Sequence, residues 1–227
     1  MSAQALPIGT TLRKDGAYII EQVLGKGGFG VTYKAIDQQL GRPVAIKEFF
    51  PANFCYRQGQ GIVKMPGYTG IFDFDQYREN FFDEAKRLVK FNHPNIVKIY
   101  DAFKANNTAY FVMEFEEGQT LQEILTLKVH LSEVETIRYI KDVAHALEYI
   151  HTQGTLHRDI KPSNIIIRKS GKPVLIDFGA SREVTNGNEE HTAILSHGFA
   201  PPDNMIKREE KVSLLMSTVW LQPPTIV

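Results

Sequence analysis

Cysteine is nearly absent from this sequence of 227 residues, because Cys55 is the only one. A disulfide framework within the chain is therefore excluded, and a reducing compartment such as the cytoplasm is expected. Residues 1–16 have no apolar core of the kind that a signal peptide needs, and no run is long and apolar enough to span a bilayer. The formal net charge is +0, so the sequence gives no broad electrostatic footprint for nucleic acid.

What the sequence does have is an ordinary globular composition, with 43% hydrophobic and 23% charged residues. Its length allows one large domain or two small lobes. Strand-like runs dominate up to about residue 113, and the one helix expected there covers about 74–91. That helix has an apolar stripe, which consists of Phe81, Ala85, Leu88 and Val89. Residues 51–72 are rich in Gly, Pro, Gln and Tyr, which predicts an inserted surface loop.

After a connector at residues 114–118 the pattern becomes helical, with helices predicted at 121–127 and 132–151. Ser132 and Glu135 form a capping box at the start of the second helix. Its predicted buried face comprises Ile137, Ile140, Val143, Ala144, Leu147 and Ile150. The sequence therefore predicts an α+β protein with a strand-rich lobe containing one helix, followed by a mainly helical lobe. Ligands tend to bind in a cleft between lobes.

A glycine-rich segment, Gly25-x-Gly27-x-x-Gly30, lies early in the strand-rich part. A dinucleotide-binding fold would need a helix directly after it, but residues 31–35 alternate like a strand. The Gly-Lys-Ser/Thr ending of a Walker A loop is absent. What remains is a hairpin whose backbone N–H groups can approach phosphates, and a plain glycine-rich turn is the alternative.

Lys47 ends the apolar strand 44–47, and Glu84 lies on the helix that follows. Each residue alone is most simply a solvated side chain. Together they can form an ion pair that directs the ammonium group toward a phosphate. The choice between an ion pair and two solvated side chains depends on the motifs further along the chain.

Two motifs in the helical part decide the interpretation: residues 157–164 read HRDIKPSN, and residues 177–179 read DFG. Over roughly residues 15–211 the sequence resembles protein kinases. It has their motifs in the same order: a glycine loop, a strand lysine, an HRD loop with Asn five residues after Asp, and DFG. Lys161 in the loop resembles the serine/threonine class. Residues 24–33, the KEFFP segment at 47–51 and GFAPP at 198–202 are similar to bacterial members of the eukaryotic-like (Hanks-type) branch.

This resemblance implies a two-lobed protein kinase fold, an antiparallel sheet with one helix and then an incomplete, mainly helical lobe. The lobes are expected at 1–116 and 117–211. Asp159 would accept or orient the proton of a substrate hydroxyl, and Lys161 would balance charge on the γ-phosphate. Lys47, held by Glu84, would contact the α- and β-phosphates. Met113 would be the gatekeeper.

The resemblance also implies ATP and Mg²⁺, with Asn164 and Asp177 as the metal ligands. The expected ATP-binding residues are Leu24, Gly25, Lys26, Gly27, Gly28, Phe29, Gly30, Thr32, Ala45, Lys47, Met113, Glu114, Glu116, Ile166 and Asp177. Thr32 departs from the family, in which valine is common at this position.

Regulation is expected through Arg158, whose charge next to Asp159 favours a phosphate on the activation segment as its partner. The candidate acceptors are Thr185, Thr192 and Ser196. The alternative is that Arg158 pairs with a local carboxylate. Ser196 also stands where the family usually has a threonine that bonds the catalytic Asp and Lys.

The function implied is transfer of the ATP γ-phosphate to Ser or Thr hydroxyls of protein substrates. Two alternatives are a pseudokinase acting as a nucleotide-dependent binding module, which the intact motifs do not favour, and a non-functional translation product. The kinase resemblance ends near Lys211. If the codons of residues 212–227 are read in a shifted frame, they can encode the helix pattern that the family has at this place. The tail is therefore interpreted as frameshifted, with a natural short variant as the alternative. We expect this chain to be unstable and weakly active or inactive.

Overall fold

The computed structural model describes residues 4–13, 15–59, 61–66, 73–128, 130–157 and 159–177, and the backbone of 182–183. These residues belong to two compact units, one containing the chain up to residue 91 together with 98–116, and the other containing 92–97 and the chain from 117 onward. Within the described part of the chain, no helix is long and apolar enough to cross a membrane.

The first unit contains eight strands and one helix among its described residues. In chain order they are β1 (Thr11–Leu12), β2 (Tyr18–Lys26), β3 (Gly30–Asp37), β4 (Arg42–Phe49), β5 (Tyr56–Gln58), β6 (Ile62–Lys64), α1 (Phe74–Leu88), β7 (Ile99–Ala105) and β8 (Thr108–Glu114). The described part of the second unit contains β9 (Gly118–Thr120), α2 (Leu121–Lys128), α3 (Glu133–Thr152), β10 (Thr155–Leu156), a 3₁₀ turn (Pro162–Asn164), β11 (Ile165–Arg168), β12 (Pro173–Leu175) and β13 (Arg182–Glu183).

Six strands of the first unit form one antiparallel sheet in the order β1-β2-β3-β4-β8-β7. Strand β8 is buried along nearly its whole length, and β4 is buried at residues 44–46 and 48–49. Because successive side chains of a strand point to opposite faces, both faces of the sheet are covered at these strands. Fully buried side chains of this sheet include Tyr33 on β3, Ile46 on β4 and Tyr110 on β8. The antiparallel sheet with one helix confirms the prediction for this part of the chain.

Helix α1 begins at an N-cap, where the Asp73 carboxylate accepts a hydrogen bond of 2.9 Å from the backbone N–H of Gln76. Its apolar stripe packs through Phe81, whose ring lies 5.6 Å from Phe49 and 4.8 Å from Phe111. The prediction that Val89 belongs to this stripe is wrong, since Val89 is 43% exposed. The helix ends at Leu88, and its buried face contains Ala85 and Leu88 but not Val89.

Strands β5 and β6, at residues 56–58 and 62–64, pair as an antiparallel hairpin, which corrects the prediction that 51–72 is simply a surface loop. Val63 is fully buried, and its backbone N–H donates to the carbonyl of Asn106 at 2.8 Å. The hairpin is thus part of the core that covers the sheet. Residues 60 and 67–72 lie outside the described residues.

Helix α3 begins with the predicted capping box, in which the side chains of Ser132 and Glu135 each accept a hydrogen bond from the other's backbone N–H. Val143, Leu147 and Ile150 are buried as predicted. The prediction for Ile137 is wrong, because this side chain is 52% exposed. The buried stripe instead begins at Tyr139, a register that leaves Ile137 outside it.

Residues 92–97 group with the second unit, although the sequence boundary assigned them to the first. The reason is backbone pairing, since Val97 N–H donates to Leu175 O and Leu175 N–H donates to Asn95 O, at 2.8 and 2.9 Å. Strand β11 pairs with β12 on one side and with β9 on the other. At Gly118 in β9 any Cβ would lie 2.2 Å from the carbonyl oxygen of Ile167, so only glycine permits this approach.

Candidate active site

The glycine-rich segment forms the hairpin between β2 and β3, as the alternating residues after it predicted. The backbone N–H of Gly27 donates to the carbonyl of Gly30 at 2.8 Å, which closes the turn. At Gly30 any Cβ would lie 2.6 Å from the carbonyl oxygen of Glu48 on β4. The third glycine is therefore required by close packing of β3 on β4. Gly25, Lys26 and the turn 27–29 complete the predicted loop.

Apolar side chains flank this loop. Leu24 is 44% exposed and Phe29 is 37% exposed, although neither is polar. Exposed apolar surface next to backbone N–H groups suits a ligand that has both a flat apolar part and phosphates.

The sheet places further predicted ATP-binding residues close to each other. In the strand register, Thr32 of β3 is opposite Lys47 of β4, and Ala45 of β4 is opposite Met113 of β8. Ala45 and Lys47 point to the same face of the sheet, since side chains alternate along a strand. Met113 is buried. The segment that follows continues with half-buried Glu114 and buried Glu116.

Lys47 and Glu84 both border the aromatic packing between α1 and the sheet. The Lys47 ammonium lies 5.9 Å from the centroid of the Phe111 ring, and Phe81 packs on that same ring at 4.8 Å. Glu84 follows Phe81 by one turn on α1 and is only 9% exposed. A buried carboxylate at this place favours a cationic partner, and the ion pair with Lys47, which stays a prediction, would supply one.

In the second unit, two side chains converge on one oxygen of Asp159. Asn164 donates through Nδ2 to Oδ2 of Asp159 at 2.9 Å and also to the Asp159 backbone carbonyl at 2.9 Å. The ammonium of Lys161 lies 2.9 Å from the same Oδ2. The three residues that the sequence assigned to catalysis in this loop are therefore in direct contact.

The local sequence produces this arrangement. Pro162 opens the 3₁₀ turn, where its missing N–H costs nothing, and Asn164 N–H closes the turn by donating to Lys161 O at 2.9 Å. Asn164 is thereby buried beneath the loop at 6% exposure. Its carbonyl accepts a bond of 3.1 Å from the N–H of Ile176, the residue just before Asp177.

The predicted metal ligands have the right chemistry for Mg²⁺. Asn164 uses its amide nitrogen to bond Asp159, which leaves the amide oxygen to a metal, and Asp177 supplies a half-buried carboxylate. Oxygen ligands of this kind, together with substrate phosphates, are what Mg²⁺ prefers. Ile166, predicted to contact adenine, is half-buried on β11 and lies opposite Thr120 and Val174.

Several predicted residues lie outside the described part of the chain. They are Arg158, Phe178, Gly179, Thr185, Thr192 and Ser196, and the tail at 212–227. Lys47 and Glu84 belong to the first unit, and Asp159, Asn164 and Asp177 belong to the second. Their convergence on one site stays a prediction.

One polar group beside Lys47 was not predicted. Glu48 is fully buried, and its carboxylate bonds to Tyr33, Arg57 and Tyr110. The sequence signal for it is limited to a glutamate between Lys47 and the apolar pair Phe49 and Phe50 at the end of β4. Its partners lie on three other strands, which the sequence does not bring together.

Residues 18–220 match the protein kinase domain family. The chain belongs to the protein kinase family. It is 31% identical over 224 residues to serine/threonine-protein kinase B of Synechocystis sp. (strain ATCC 27184 / PCC 6803 / Kazusa), an alignment that covers 92% of this chain and 36% of that protein. It is 33% identical over 185 residues to serine/threonine-protein kinase PrkC of Bacillus subtilis (strain 168), covering 79% of this chain and 25% of that kinase.

The solved structure named "PpkA-294 apo form" has the same fold as this protein kinase chain, with a TM-score of 0.72 and 33% identity. The match covers 78% of this chain and 63% of that one. The kinase fold predicted from the motifs is thereby confirmed. This chain spans about a third or less of the length of the curated relatives that it matches.

Proposed function

We propose that this chain is the catalytic segment of an ATP-dependent serine/threonine protein kinase, which transfers the γ-phosphate of ATP to Ser or Thr hydroxyls of proteins. The observation that carries the proposal is the contact of Lys161 and Asn164 with one carboxylate oxygen of Asp159. Phosphoryl transfer requires positioning and charge neutralisation, with little covalent help from the protein. A carboxylate held in this way can orient a hydroxyl and accept its proton.

Each residue has a separate part in the proposed reaction. Asp159 binds and orients the substrate hydroxyl, and Lys161 offsets the negative charge of the γ-phosphate. Backbone N–H groups of residues 26–30 cover the phosphates, and Lys47, supported by Glu84, contacts those nearer the adenosine. Asn164 and Asp177 would hold Mg²⁺, which would neutralise the negative charge of the phosphates.

The serine/threonine class and the protein substrate are supported by the loop DIKPSN at 159–164 and by the names of the relatives. A protein substrate, and no nucleic acid, also agrees with the zero formal net charge. ATP is a cytoplasmic substrate, so a cytoplasmic location of this segment belongs to the proposal.

ATP consumption and autophosphorylation by the wild type, compared with Asp177→Ala, test the proposed function. We expect Mg²⁺-dependent transfer by the wild type, at most weak in this chain, and its complete loss in the variant, because a metal ligand is removed. Wild-type binding of ATP without transfer would indicate a nucleotide-dependent binding module instead. Absence of any ATP binding by folded wild-type protein would refute both.

Control by phosphorylation of the segment 183–200 is a further part of the proposal. Arg158 would bind the phosphate, and Thr185, Thr192 or Ser196 would carry it. Mass spectrometry of active protein should locate a phosphate on one of these hydroxyls. Full activity after replacement of all three by alanine would contradict this control.

A further inference from the structure

The carboxylate of Glu48 is the centre of a buried polar network directly beside Lys47. Its Oε2 accepts hydrogen bonds from the hydroxyl of Tyr33 at 2.6 Å and from Arg57 at 2.7 Å. Its Oε1 accepts from the hydroxyl of Tyr110 at 2.8 Å and from Arg57 at 2.9 Å. A carboxylate has about four such acceptor positions, so Glu48 is fully satisfied.

Arg57, on the hairpin strand β5, is equally well bound. Besides the two bonds to Glu48, it donates to the backbone carbonyl of Gly61 at 3.0 Å and twice to that of Gln4, at 3.1 and 2.7 Å. All five N–H donors of the guanidinium are thereby used. Burial by itself would lower the pKa of Arg57, but the hydrogen bonds and charge of Glu48 raise it, so the group remains charged. The guanidinium also lies 4.6 Å from the Phe50 ring.

The strand register shows what this network holds. Tyr33 lies on β3 and Tyr110 on β8, which are the two neighbours of β4, and Glu48 is directly opposite Tyr110. Lys47 is the preceding residue, and its side chain points to the opposite face because side chains alternate along a strand. The four bonds of Glu48 therefore connect β4 to both neighbouring strands and to the hairpin at the level of Lys47.

Gly30 of the glycine loop packs closely against Glu48 and Lys47 on β4. A Cβ at Gly30 would lie 2.6 Å from the Glu48 carbonyl oxygen and 3.8 Å from Cε of Lys47. A movement of β4 at Glu48 would therefore shift both Lys47 and the start of β3, which are the proposed phosphate-binding groups.

Stability alone is a poor explanation for such a network. Desolvation offsets most of the attraction in a buried ion pair, and well-packed apolar residues usually stabilise as much. What directional bonds supply, and apolar packing does not, is one fixed position of a strand relative to its neighbours. We propose that Glu48, Arg57, Tyr33 and Tyr110 are positioning residues that hold Lys47 and the glycine loop in place to bind the phosphates of ATP. The inference rests on the proposed function, since it concerns the same site.

The test compares the affinities for Mg-ATP and for adenosine, which lacks the phosphates. The double variant Glu48→Gln/Arg57→Met removes both charges and leaves no unpaired buried ion. We expect its dissociation constant for Mg-ATP to rise about tenfold, since a misplaced binding group loses much of its effect. Its dissociation constant for adenosine should stay within about twofold, because the face that carries Ala45 and Met113 is unchanged.

Arg42→Met is the matched control. Arg42 on β4 is, like Arg57, an arginine that pairs with a carboxylate, Asp37 at 3.8 Å, yet its side chain is 38% exposed. Both affinities should stay within about twofold in this control. Circular dichroism at the titration temperature establishes that each variant is folded. If the network only stabilised the fold, the double variant would show equal changes in its affinities for Mg-ATP and for adenosine.

A folded double variant with the wild-type ratio of ATP to adenosine affinity would overturn the inference. If the double variant does not fold, Tyr33→Phe and Tyr110→Phe decide. Each removes one bond to Glu48, together with the bond that the same hydroxyl accepts from Leu6 N–H or from Asn106, and leaves the ion pair intact. Weaker ATP binding with unchanged adenosine binding in both would support the inference, and wild-type ATP binding in both would overturn it. Wild-type protein that binds no ATP would overturn the proposed function itself.

Discussion

The side-chain amide of Asn164 donates to both the backbone carbonyl and the carboxylate of Asp159, five residues earlier, at 2.9 Å in each case. These two bonds fix the orientation of the carboxylate relative to its own backbone. Because Lys161 approaches the same oxygen at 2.9 Å, the negative charge has a cation beside it. The loop therefore holds the Asp159 carboxylate in one orientation beside a cation, and the first prediction concerns this carboxylate.

Asp159→Ala should reduce phosphoryl transfer by about 10²–10⁴-fold, the usual contribution of a positioned base. Nucleotide should still bind, since Asp159 is assigned to the hydroxyl of the substrate and not to ATP. Radiolabel transfer from ATP and a nucleotide titration measure the two properties. Asp83→Ala is the control, because Asp83 is an exposed carboxylate on α1 that pairs only with Lys86 among the contacts described. Near wild-type transfer by Asp159→Ala would show that the assigned role is wrong.

Gly30→Ala should lower the free energy of unfolding by about 1–3 kcal/mol, which is typical of overpacking in a rigid environment. The added Cβ would lie 2.6 Å from the backbone carbonyl of Glu48, which has little freedom to move. Gly28→Ala is the matched variant from the same loop, where a Cβ meets nothing within 4 Å. Its effect on urea unfolding should stay within about 0.5 kcal/mol. Equal destabilisation by the two substitutions would contradict the close contact.

His93 should make the folded state less stable in mild acid. Burial, and then the charge of His145, lower its pKa, against an opposing effect of Asp142. Its Nδ1 accepts a hydrogen bond of 3.2 Å from Asn95 N–H, which a proton at that atom would break. The unfolded chain binds a proton at the ordinary pKa and the folded chain only at lower pH, so stability is lost as the pH falls through this interval.

The measurement for His93 is the melting temperature between about pH 7 and pH 5, the range in which histidine ordinarily titrates. His93→Phe should show a weaker dependence on pH than the wild type, since phenylalanine keeps a ring for the contact with Tyr149 at 5.3 Å but has no proton to bind. Exposed His130 provides the control substitution, His130→Phe. Identical pH dependence of the wild type and His93→Phe would refute the prediction.

Ser132→Ala should lower the free energy of unfolding by about 1 kcal/mol, the usual value of an N-cap. The hydroxyl of Ser132 accepts a bond of 3.2 Å from Glu135 N–H, and without it the first turn of α3 has an unsatisfied donor. Ser132→Asp keeps an acceptor at the cap and should retain most of the stability. Denaturant unfolding of the three proteins distinguishes them, and an alanine variant as stable as the wild type would show that the cap is not needed.

Features that depend on neighbours along the chain follow from the amino-acid sequence alone. The capping box joins residues three apart, and the catalytic loop joins Asp159 to Asn164, five apart. Spacing controls such contacts, because a short segment with fixed turn chemistry has few conformations. The glycine hairpin was predictable for the same reason, since alternating residues follow it.

Contacts between groups that are distant in sequence could be identified from the folded structure and not from local sequence patterns. Arg57 bonds to Glu48, nine residues away, and to Gln4, 53 residues away, and Glu48 bonds to Tyr110 across 62 residues. Residues 51–72 have the composition of a loop, and nothing in their periodicity shows that a charged side chain among them is buried. Burial of Arg57 depends on surfaces contributed by other strands. Pairing between strands far apart in sequence follows from packing of the whole sheet, which local propensities do not specify.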